Sequence, residues 1–487
     1  MGAEISVRRD SGAQLLAGAL AVLAVAVVIG APAVALVVLT VVLVVLPLSR
    51  SAVVPYTSVI AMVLLVVLLV PIGRYSISSG LPFGLDLYRV IVGLVLLAWG
   101  TSLVLSQGRR PSTELDKPVV VVFTVLVLSI MVNAHRVAPL GPAVLKATIF
   151  FASFVGLFFF VSSTLRTEQA IRRVIQILVI GVSGMAASAI IEQRTHFNPF
   201  DHLAAVLPFL QFSGPVETSR DGLIRAVVSA DHPIALGVLF AMVLPLSVSL
   251  AFSASRRWWA STVLLSIGLM ATASRTPLLV AIAGAVVLAA LRPREMRSLI
   301  PLLVPLLVVI KLALPGSIAT VKNAFFPAGG LIEQQAALSA EADPLLAGGR
   351  VRQVGPALRE ASRTPLVGQG FGTRQTGFDN PLRNAPILDN QWLGLLLEMG
   401  LAGVVAWVWL VVRAVRRLGT QARVRAGPEG WLAAGLAAAL VGFAAGMFTY
   451  DSLAFVQETF VFWMLLGLGA SMLRLQATRT TGGDLAT

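Results

Sequence analysis

Apolar runs alternate with short polar connections along most of the chain. Runs of about 18 or more apolar residues recur from Ala13 to Leu475, and each is long enough to cross a hydrocarbon core of about 30 Å as a helix. The pattern predicts about 12–14 membrane helices, near residues 13–30, 31–48, 52–71, 88–106, 117–134, 139–165, 170–191, 232–252, 258–274, 276–292, 297–315, 388–412, 429–448 and 452–474. The predicted fold class is therefore all-α, a polytopic transmembrane helix bundle.

The first apolar run resembles a secretion signal. It follows Arg8-Arg9 and precedes a small-residue triplet, Ala33 to Ala35, of the kind that signal peptidases cleave. The apolar sequence continues past this triplet to Leu48. We therefore predict an uncleaved helical hairpin that turns at 30–32.

The composition agrees with a membrane protein. Hydrophobic residues make up 57% of the chain and charged residues 12%, whereas soluble domains carry about 25% charged residues. The mean hydropathy is +0.88. A net charge of +14 would suit a nucleic-acid-binding protein if the basic residues formed one solvated patch. They are instead dispersed among short loops, so we predict that they set membrane topology and that nucleic acid is not a partner.

The sequence offers few metal ligands. It contains no cysteine, which excludes disulfides, thiolate nucleophiles and Cys-ligated metals. The four histidines are scattered, and no acidic cluster suggests a metal. We predict neither a metal site nor a cofactor.

The basic residues also predict the orientation of the bundle. Clusters of Lys and Arg fall on alternate connections, which the positive-inside tendency places in the cytoplasm together with both termini. The same parity places four segments outside: 72–87, 192–231, the turn at Arg275 and 316–387. The predicted location is the plasma or inner membrane, with an extracytoplasmic functional face.

The segment 316–387 is the longest polar stretch, about 70 residues, and loops of that length are usually functional or disordered. Apolar residues spaced by three and four predict a short amphipathic helix over 351–362, which either lies along the membrane surface or covers a cavity. We predict N-terminal membrane helices over 1–190, a membrane core over 191–475 that contains this large extracytoplasmic loop, and a cytoplasmic tail over 476–487.

Three arginines on the predicted outer side are candidate ligands for an anion. Arg350 follows two glycines at the start of the amphipathic helix, where unpaired backbone NH groups and a guanidinium suit a diphosphate. Arg275 lies in a tight turn before Pro277, and Arg225 precedes the helix that begins near His232. The alternative for Arg350 and Arg275 is anchoring to lipid headgroups.

Acidic residues at the starts of two helices are the second group of candidates. Asp389, followed by Asn390, is either a helix cap or a base that activates a hydroxyl. Glu398 lies about 13 Å further along the same helix, so it is expected to be buried and either paired or protonated. Asp451 either caps the last helix or borders the same cavity.

Two further predictions concern helix ends and packing. Asp231 or His232 is expected to cap the eighth helix, with Pro233 in its first turn; alternatively, His232 is a polar neighbour of the anion site. Gly400 and Gly403 are expected to let a neighbouring helix approach closely.

Five pieces of sequence between residues 190 and 470 carry a family resemblance. They are Arg225 with Asp231-His232-Pro233-Ile234-Ala235-Leu236-Gly237; Ala273-Ser274-Arg275; Gly349-Arg350 with Thr364-Pro365-Leu366-Val367-Gly368-Gln369-Gly370-Phe371-Gly372; Asp389-Asn390-Gln391-Trp392-Leu393 through Glu398-Met399-Gly400-Leu401-Ala402-Gly403; and Tyr450-Asp451. In this order they resemble the O-antigen ligase and polymerase superfamily of membrane glycosyltransferases.

The resemblance implies a GT-C-like bundle whose donor is a glycan on a polyprenyl diphosphate such as undecaprenyl diphosphate, and whose acceptor is a glycan or a lipid. It also implies residue roles. Arg225, Arg275 and Arg350 would bind the diphosphate and Asp389 would activate the acceptor. From their positions in the sequence, His232, Asn390, Glu398 and Asp451 are predicted to support this site. Ligases of the family usually carry His at the position of Asp389, but a carboxylate can also accept a proton from a hydroxyl.

Other function classes fit the sequence less well. A transporter or lipid flippase is expected to hold charged residues near the bilayer midplane, whereas here they cluster at one face. A peptidoglycan polymerase of the shape, elongation and division type shares the lipid-linked donor and a long outer loop, but the ordered Arg and Gly pieces fit it less well. A structural scaffold would not need arginines in outer turns.

Overall fold

The computed structural model describes residues 55–77, 86–106, 110–216, 219–220, 223–316, 318–319, 322, 349–376 and 382–483. The two helices predicted before residue 50 lie outside this range. The principal helices are α1 Tyr56–Leu69, α2 Leu87–Ser106, α3 Asp116–Val132, α4 Gly141–Thr164, α5 Glu168–Thr195, α6 Pro233–Ser253, α7 Trp258–Ala271, α8 Arg275–Leu291, α9 Leu303–Ala313, α10 Gly349–Ala361, α11 Gln391–Val424, α12 Pro428–Gly446 and α13 Val456–Gly483.

This architecture confirms the predicted all-α polytopic bundle. Eight helices of the described residues are long and apolar enough to cross a membrane, and three further apolar helices are shorter. Two pairs of short antiparallel strands, which the hydropathy pattern did not predict, lie in polar connections: β1 Tyr75–Ile77 pairs with β2 Leu210–Phe212, and β3 Ser219–Arg220 with β4 Leu223–Ile224.

Helices α6, α12 and α13 form the centre of the bundle. The apolar windows of α6 and α12 are 89% and 83% buried, whereas that of the segment containing α9 is only 6% buried. Close packing is possible because α12 presents glycines to its neighbour: Gly442 and Gly446 lie against Val280 of α8. An aromatic cluster fills the space between α4, α11 and α13, where Trp463 packs against Phe151 and Trp407.

The ends of several helices meet at one end of the bundle, which we call the Asp389 end. Gly446, at the end of α12, lies against Val280 near the start of α8. The carbonyl of Met447 then accepts a hydrogen bond of 2.8 Å from the backbone of Gln391, where α11 begins. The turn before α8 and the start of α11 therefore lie on the same side of the bundle.

Arginines bind backbone carbonyls at the opposite end. Arg474 donates to Leu165 O over 2.7 Å, and Arg413 donates to Glu114 O over 2.9 Å. These two contacts tie the ends of α11 and α13 that are remote from Asp389 to the neighbouring connections.

Candidate active site

Helix α11 is interrupted at Gly400, whose backbone adopts φ 65° and ψ −166°. A continuous helix would pair Leu401 N with Leu397 O, and Ala402 N with Glu398 O. These groups bind instead to residues 365–372, which we call the inserted loop. The four hydrogen bonds are Leu401 N to Pro365 O (2.8 Å), Ala402 N to Leu366 O (3.1 Å), Gln369 N to Leu397 O (2.8 Å) and Gly370 N to Glu398 O (3.1 Å).

The inserted loop corrects the predicted role of Gly400. The element that approaches Gly400 is this loop: the Cα of Gly400 faces the backbone of Leu366 so closely that a Cβ would overlap it. Gly368 likewise faces the backbone of Glu398, and both glycines have positive φ. The sequence predicted an uninterrupted helix because the apolar run continues through Gly400. The break depends on hydrogen bonds to the inserted loop, which lies earlier in the chain and leaves no trace in the hydropathy of α11.

Neighbouring helices hold the inserted loop in the bundle. Asn133, at the end of α3, donates from Nδ2 to Gly368 O over 3.1 Å. Ser129 donates to Glu398 O over 2.6 Å. The ring of Phe371 is buried, with its centroid 5.6 Å from that of Phe151. Irregular backbone is stable among membrane helices where its polar groups are bonded in this way.

The structure places Asp389 just before α11, outside the helix. Asn390 is the cap residue, and its Oδ1 accepts from Leu393 N over 3.1 Å. The alternative that Asp389 merely caps the helix is therefore wrong. The cap of α11 is the predicted supporting residue Asn390.

Gln391 joins the start of α11 to the connection between α12 and α13. Its backbone N donates to Met447 O and Tyr450 O, and its side-chain Oε1 accepts from Leu453 N over 2.8 Å. These bonds hold the segment around Asp451 against the segment that carries Asp389.

Asp451 lies within electrostatic range of Asp389. Burial and, to a lesser extent, the charge of Asp389 raise the pKa of Asp451, the guanidinium of Arg374 opposes the rise, and the resulting pKa is about 7. Asp451 does not cap α13 in the described structure, since that helix begins at Val456. The structure therefore brings together two carboxyl groups that are 62 residues apart in sequence.

Glu398 and Arg374 border this pair of acids. Glu398 Oε1 accepts from Gly372 N of the inserted loop over 3.2 Å, which agrees with its predicted internal bonding. Arg374 is held by Glu360 of α10 across 2.7 Å, and the same carboxylate oxygen accepts from Gln369 Nε2 over 2.9 Å. Among the described residues, no three His, Asp or Glu side chains are grouped in the manner of a metal site.

Arg225 lies against the turn that carries Arg275. The Arg225 side chain is buried; its Nε donates to Thr272 O over 3.1 Å and its Nη2 to Ser274 Oγ. Ala273 in this turn has a left-handed backbone, φ 46°. Arg225 thus shapes the turn from which α8 begins at Arg275.

His232 caps α6, as predicted: its Nδ1 accepts from Ile234 N over 3.1 Å. The His232 ring also lies 5.8 Å from the ring of Phe455, which is 6.0 Å from that of Tyr450. The start of α6 and the segment around Asp451 are therefore neighbours.

Arg350 falls at the second position of α10, which confirms the predicted amphipathic helix. The Arg350 side chain and Gly348 lie outside the described part of the structure. The other face of α10 is in contact with α11: Ala357 and Ala361 are buried against Leu388 and Leu397. Gln353 Nε2 adds a hydrogen bond of 3.1 Å to Ile387 O.

A buried network around Arg74 was missed by the sequence analysis. Its Nη1 lies 2.6 Å from Asp201 Oδ1, and its Nη2 donates to the carbonyls of Val228 and Ala230. Val228, in turn, has a positive φ of 54°, and its NH group donates to Glu192 Oε2 over 2.7 Å. Arg74 would have been found by the criterion that selected Arg275, because it too is an arginine on a predicted outer connection.

Asp231 adjoins this network. Burial raises the pKa of Asp231, Arg74 lowers it and Asp86 raises it, and the resulting pKa is about 6. The backbone of Gly73 lies next to its carboxyl. The network thus fixes the path of the chain from Arg225 to His232.

Residues 260–408 match the family model described as O-antigen ligase. The chain carries an O-antigen ligase domain. The match includes the Arg275 turn, the inserted loop, Asp389 and Glu398, and it confirms the resemblance to the O-antigen ligase and polymerase superfamily. A search of curated proteins returned no match. The eight apolar helices and this match together indicate a multi-pass membrane protein that contains a region similar to O-antigen ligases.

Proposed function

We propose that this O-antigen ligase-type protein is a glycosyltransferase that moves a glycan from a polyprenyl diphosphate to an acceptor hydroxyl on the extracytoplasmic face of the membrane. The proposal rests mainly on the juxtaposition of Asp389 and Asp451. The turn carrying Arg275 lies at the same end of the bundle, which offers a cation for the diphosphate beside an acid for the acceptor.

The arginines at the Asp389 end would bind the diphosphate. Guanidinium groups suit phosphate oxygens because they donate in a planar fork and stay charged. As the bond between the anomeric carbon and the diphosphate oxygen breaks, negative charge grows on that oxygen, and each well-placed donor stabilises it by about 3 kcal/mol. Arg275 and Arg350 would contact the diphosphate, and Arg225 would hold the Arg275 turn as well as contribute charge.

Asp389 would accept the proton of the acceptor hydroxyl as its oxygen bonds to the anomeric carbon. The leaving polyprenyl diphosphate needs no proton because the arginines neutralise it. Asp451 would keep a proton near neutral pH, since its pKa is about 7. Two adjacent carboxyls favour a state in which one is neutral, so a protonated Asp451 would leave Asp389 as the acceptor of the hydroxyl proton.

An assay of the purified protein tests the proposal by measuring the rate at which it transfers the glycan from a polyprenyl-diphosphate-linked donor. Asp389→Asn keeps the shape of the side chain, and we expect it to lower the rate at least about a hundredfold, the range for loss of a general base. Asp389→His should retain part of the activity, because relatives carry His at this position. Asp86→Asn is the matched control, since Asp86 pairs with the half-exposed Arg89.

Full activity of Asp389→Asn would refute the role of Asp389 as base. Full activity of an Arg275→Ala, Arg350→Ala double variant would refute the diphosphate site. The acceptor class follows from the same assay: a polymerase makes a ladder of products from the lipid-linked donor alone, whereas a ligase needs a separate acceptor.

A further inference from the structure

Helix α11 extends beyond the membrane thickness at the end opposite to Asp389. Its two parts, before and after the break at Gly400, together contain 34 residues, which corresponds to about 51 Å of helix at about 1.5 Å per residue. Its apolar part, 393–412, accounts for about 30 Å, which is the thickness of a hydrocarbon core. Arg413 and the residues after it therefore lie at the membrane interface farther from Asp389.

A groove of about 410 Å³ opens on α11 at this interface, lined by Trp409, Val412, Arg413, Arg416, Arg417 and Thr420. It continues an apolar stripe along the same helix. The stripe consists of side chains 43–57% exposed and spaced by three or four residues, namely Leu401, Val405, Val408 and Val412. Spacing of this kind puts the four side chains on one face, so an apolar surface leads into a basic groove.

The groove carries excess positive charge. Arg417 lies 2.6 Å from Glu114 Oε2, and Arg413 donates to the backbone carbonyl of the same residue. Within the described residues, the guanidinium of Arg416 has no hydrogen bond or ion pair. The lining of the groove thus contains three guanidinium groups and no carboxylate, and the Glu114 carboxylate pairs with one of them, Arg417, which favours binding of an anion.

We propose that this groove binds an anionic phospholipid. The phosphodiester would contact Arg416 and its neighbouring arginines, and an acyl chain would lie along the stripe from Val412 to Leu401. Trp409 stands where the headgroup meets the acyl chains, the depth that tryptophan favours in membrane proteins. A free phosphate would use the arginines but leave the stripe without a partner, so the combination favours a lipid. This site is independent of glycosyl transfer at the Asp389 end.

Native mass spectrometry of the purified full chain in detergent tests the proposal, with phosphatidylglycerol and phosphatidylcholine as probes. We expect the protein to retain phosphatidylglycerol in preference to phosphatidylcholine. Each arginine near an anionic lipid contributes enough to change affinity about fivefold. Arg416→Gln should therefore weaken retention about fivefold, and Arg413→Gln, Arg416→Gln, Arg417→Gln about a hundredfold.

The matched control is Arg256→Gln, Arg257→Gln, which removes charge from exposed residues between α6 and α7, outside the groove. Retention of phosphatidylglycerol by this control and its loss in the groove variants would support the site. Equal retention of the two lipids, or equal loss in control and groove variants, would overturn it. Displacement of the lipid by millimolar inorganic phosphate would also overturn it, in favour of a general anion site. Arg416→Gln serves if the triple variant does not fold, because Arg416 has no bond to Glu114.

Discussion

The side-chain oxygen of Gln391 accepts a hydrogen bond of 2.8 Å from the backbone of Leu453. This bond connects the first residue of α11 to the loop before α13. Because Asp389 precedes Gln391 by two residues and Asp451 precedes Leu453 by two, the bond helps to hold together the two backbone segments that carry these carboxyl groups.

Gln391→Met should loosen that connection. The substitution preserves volume but leaves Leu453 N without its acceptor, which costs about 1–3 kcal/mol. We expect a lower thermal unfolding midpoint in detergent and a larger relative loss of glycan transfer than of stability. Gln193→Met is the control, since Gln193 Oε1 accepts no hydrogen bond among the described residues. Equal behaviour of the two variants would show that the Gln391 bond has no positioning role.

Asp451 should make the stability of the protein depend on pH. Its pKa is 3.8 ordinarily and about 7 in the folded protein, so the folded state binds the proton more tightly than the unfolded state. The resulting stabilisation is complete below the ordinary pKa and is lost as pH rises to about 7. Asp451→Asn should flatten the fall of the unfolding midpoint between pH 5 and pH 8. If the unfolding midpoint of Asp451→Asn falls with pH as steeply as that of the unmodified protein, other groups, such as Asp231, cause the fall.

Gly400→Ala should disrupt the inserted loop. A Cβ at this position meets the backbone of Leu366, and alanine also disfavours the positive φ. We expect a loss of folded protein in fluorescence-detected size-exclusion chromatography. Gly184→Ala, in the middle of α5, meets nothing within 4 Å and should fold normally. If Gly400→Ala is produced in normal amounts and has a normal unfolding midpoint, the inserted loop can shift to accommodate a Cβ at this position.

Arg74→Met should destabilise the protein. Arg74 is 3% exposed, and removing one partner of a buried ion pair typically costs about 3–5 kcal/mol. Arg89→Ala is the control, because the Arg89 side chain is 43% exposed and such pairs contribute at most about 1 kcal/mol. Thermal unfolding in detergent measures both. A comparable small effect from the two substitutions would contradict the structural role of Arg74.

Local signals in the sequence predicted much of the fold. Hydropathy located the helices, and Pro233 and Pro277 lie in the first turns of α6 and α8, as expected for residues that lack an NH donor. His232 was correctly named as an alternative cap of α6. These features depend on residues close together in the chain, so a single sequence contains the necessary information.

Contacts between distant segments could not be predicted in the same way. The break at Gly400 depends on a loop about 30 residues earlier, and nothing in the apolar pattern of α11 distinguishes it from a continuous helix. The pairing of Arg374 with Glu360 and the approach of Asp389 to Asp451 likewise arise from packing. The family order suggested that Arg225 and Arg275 share a site, but only the structure shows that Arg225 bonds to the turn itself.

The inserted loop also sets limits on chain length. An added or deleted residue within 365–372 would shift the register of all four hydrogen bonds to α11 at once. By contrast, Asn384 N donates to Gln375 O, and Gln375 N donates to Asn384 Oδ1, each over 3.0 Å, so residues inserted between these two positions would leave both hydrogen bonds in register. Relatives with the same inserted loop should therefore differ in length between these two positions and keep a constant count from Pro365 to Gly372.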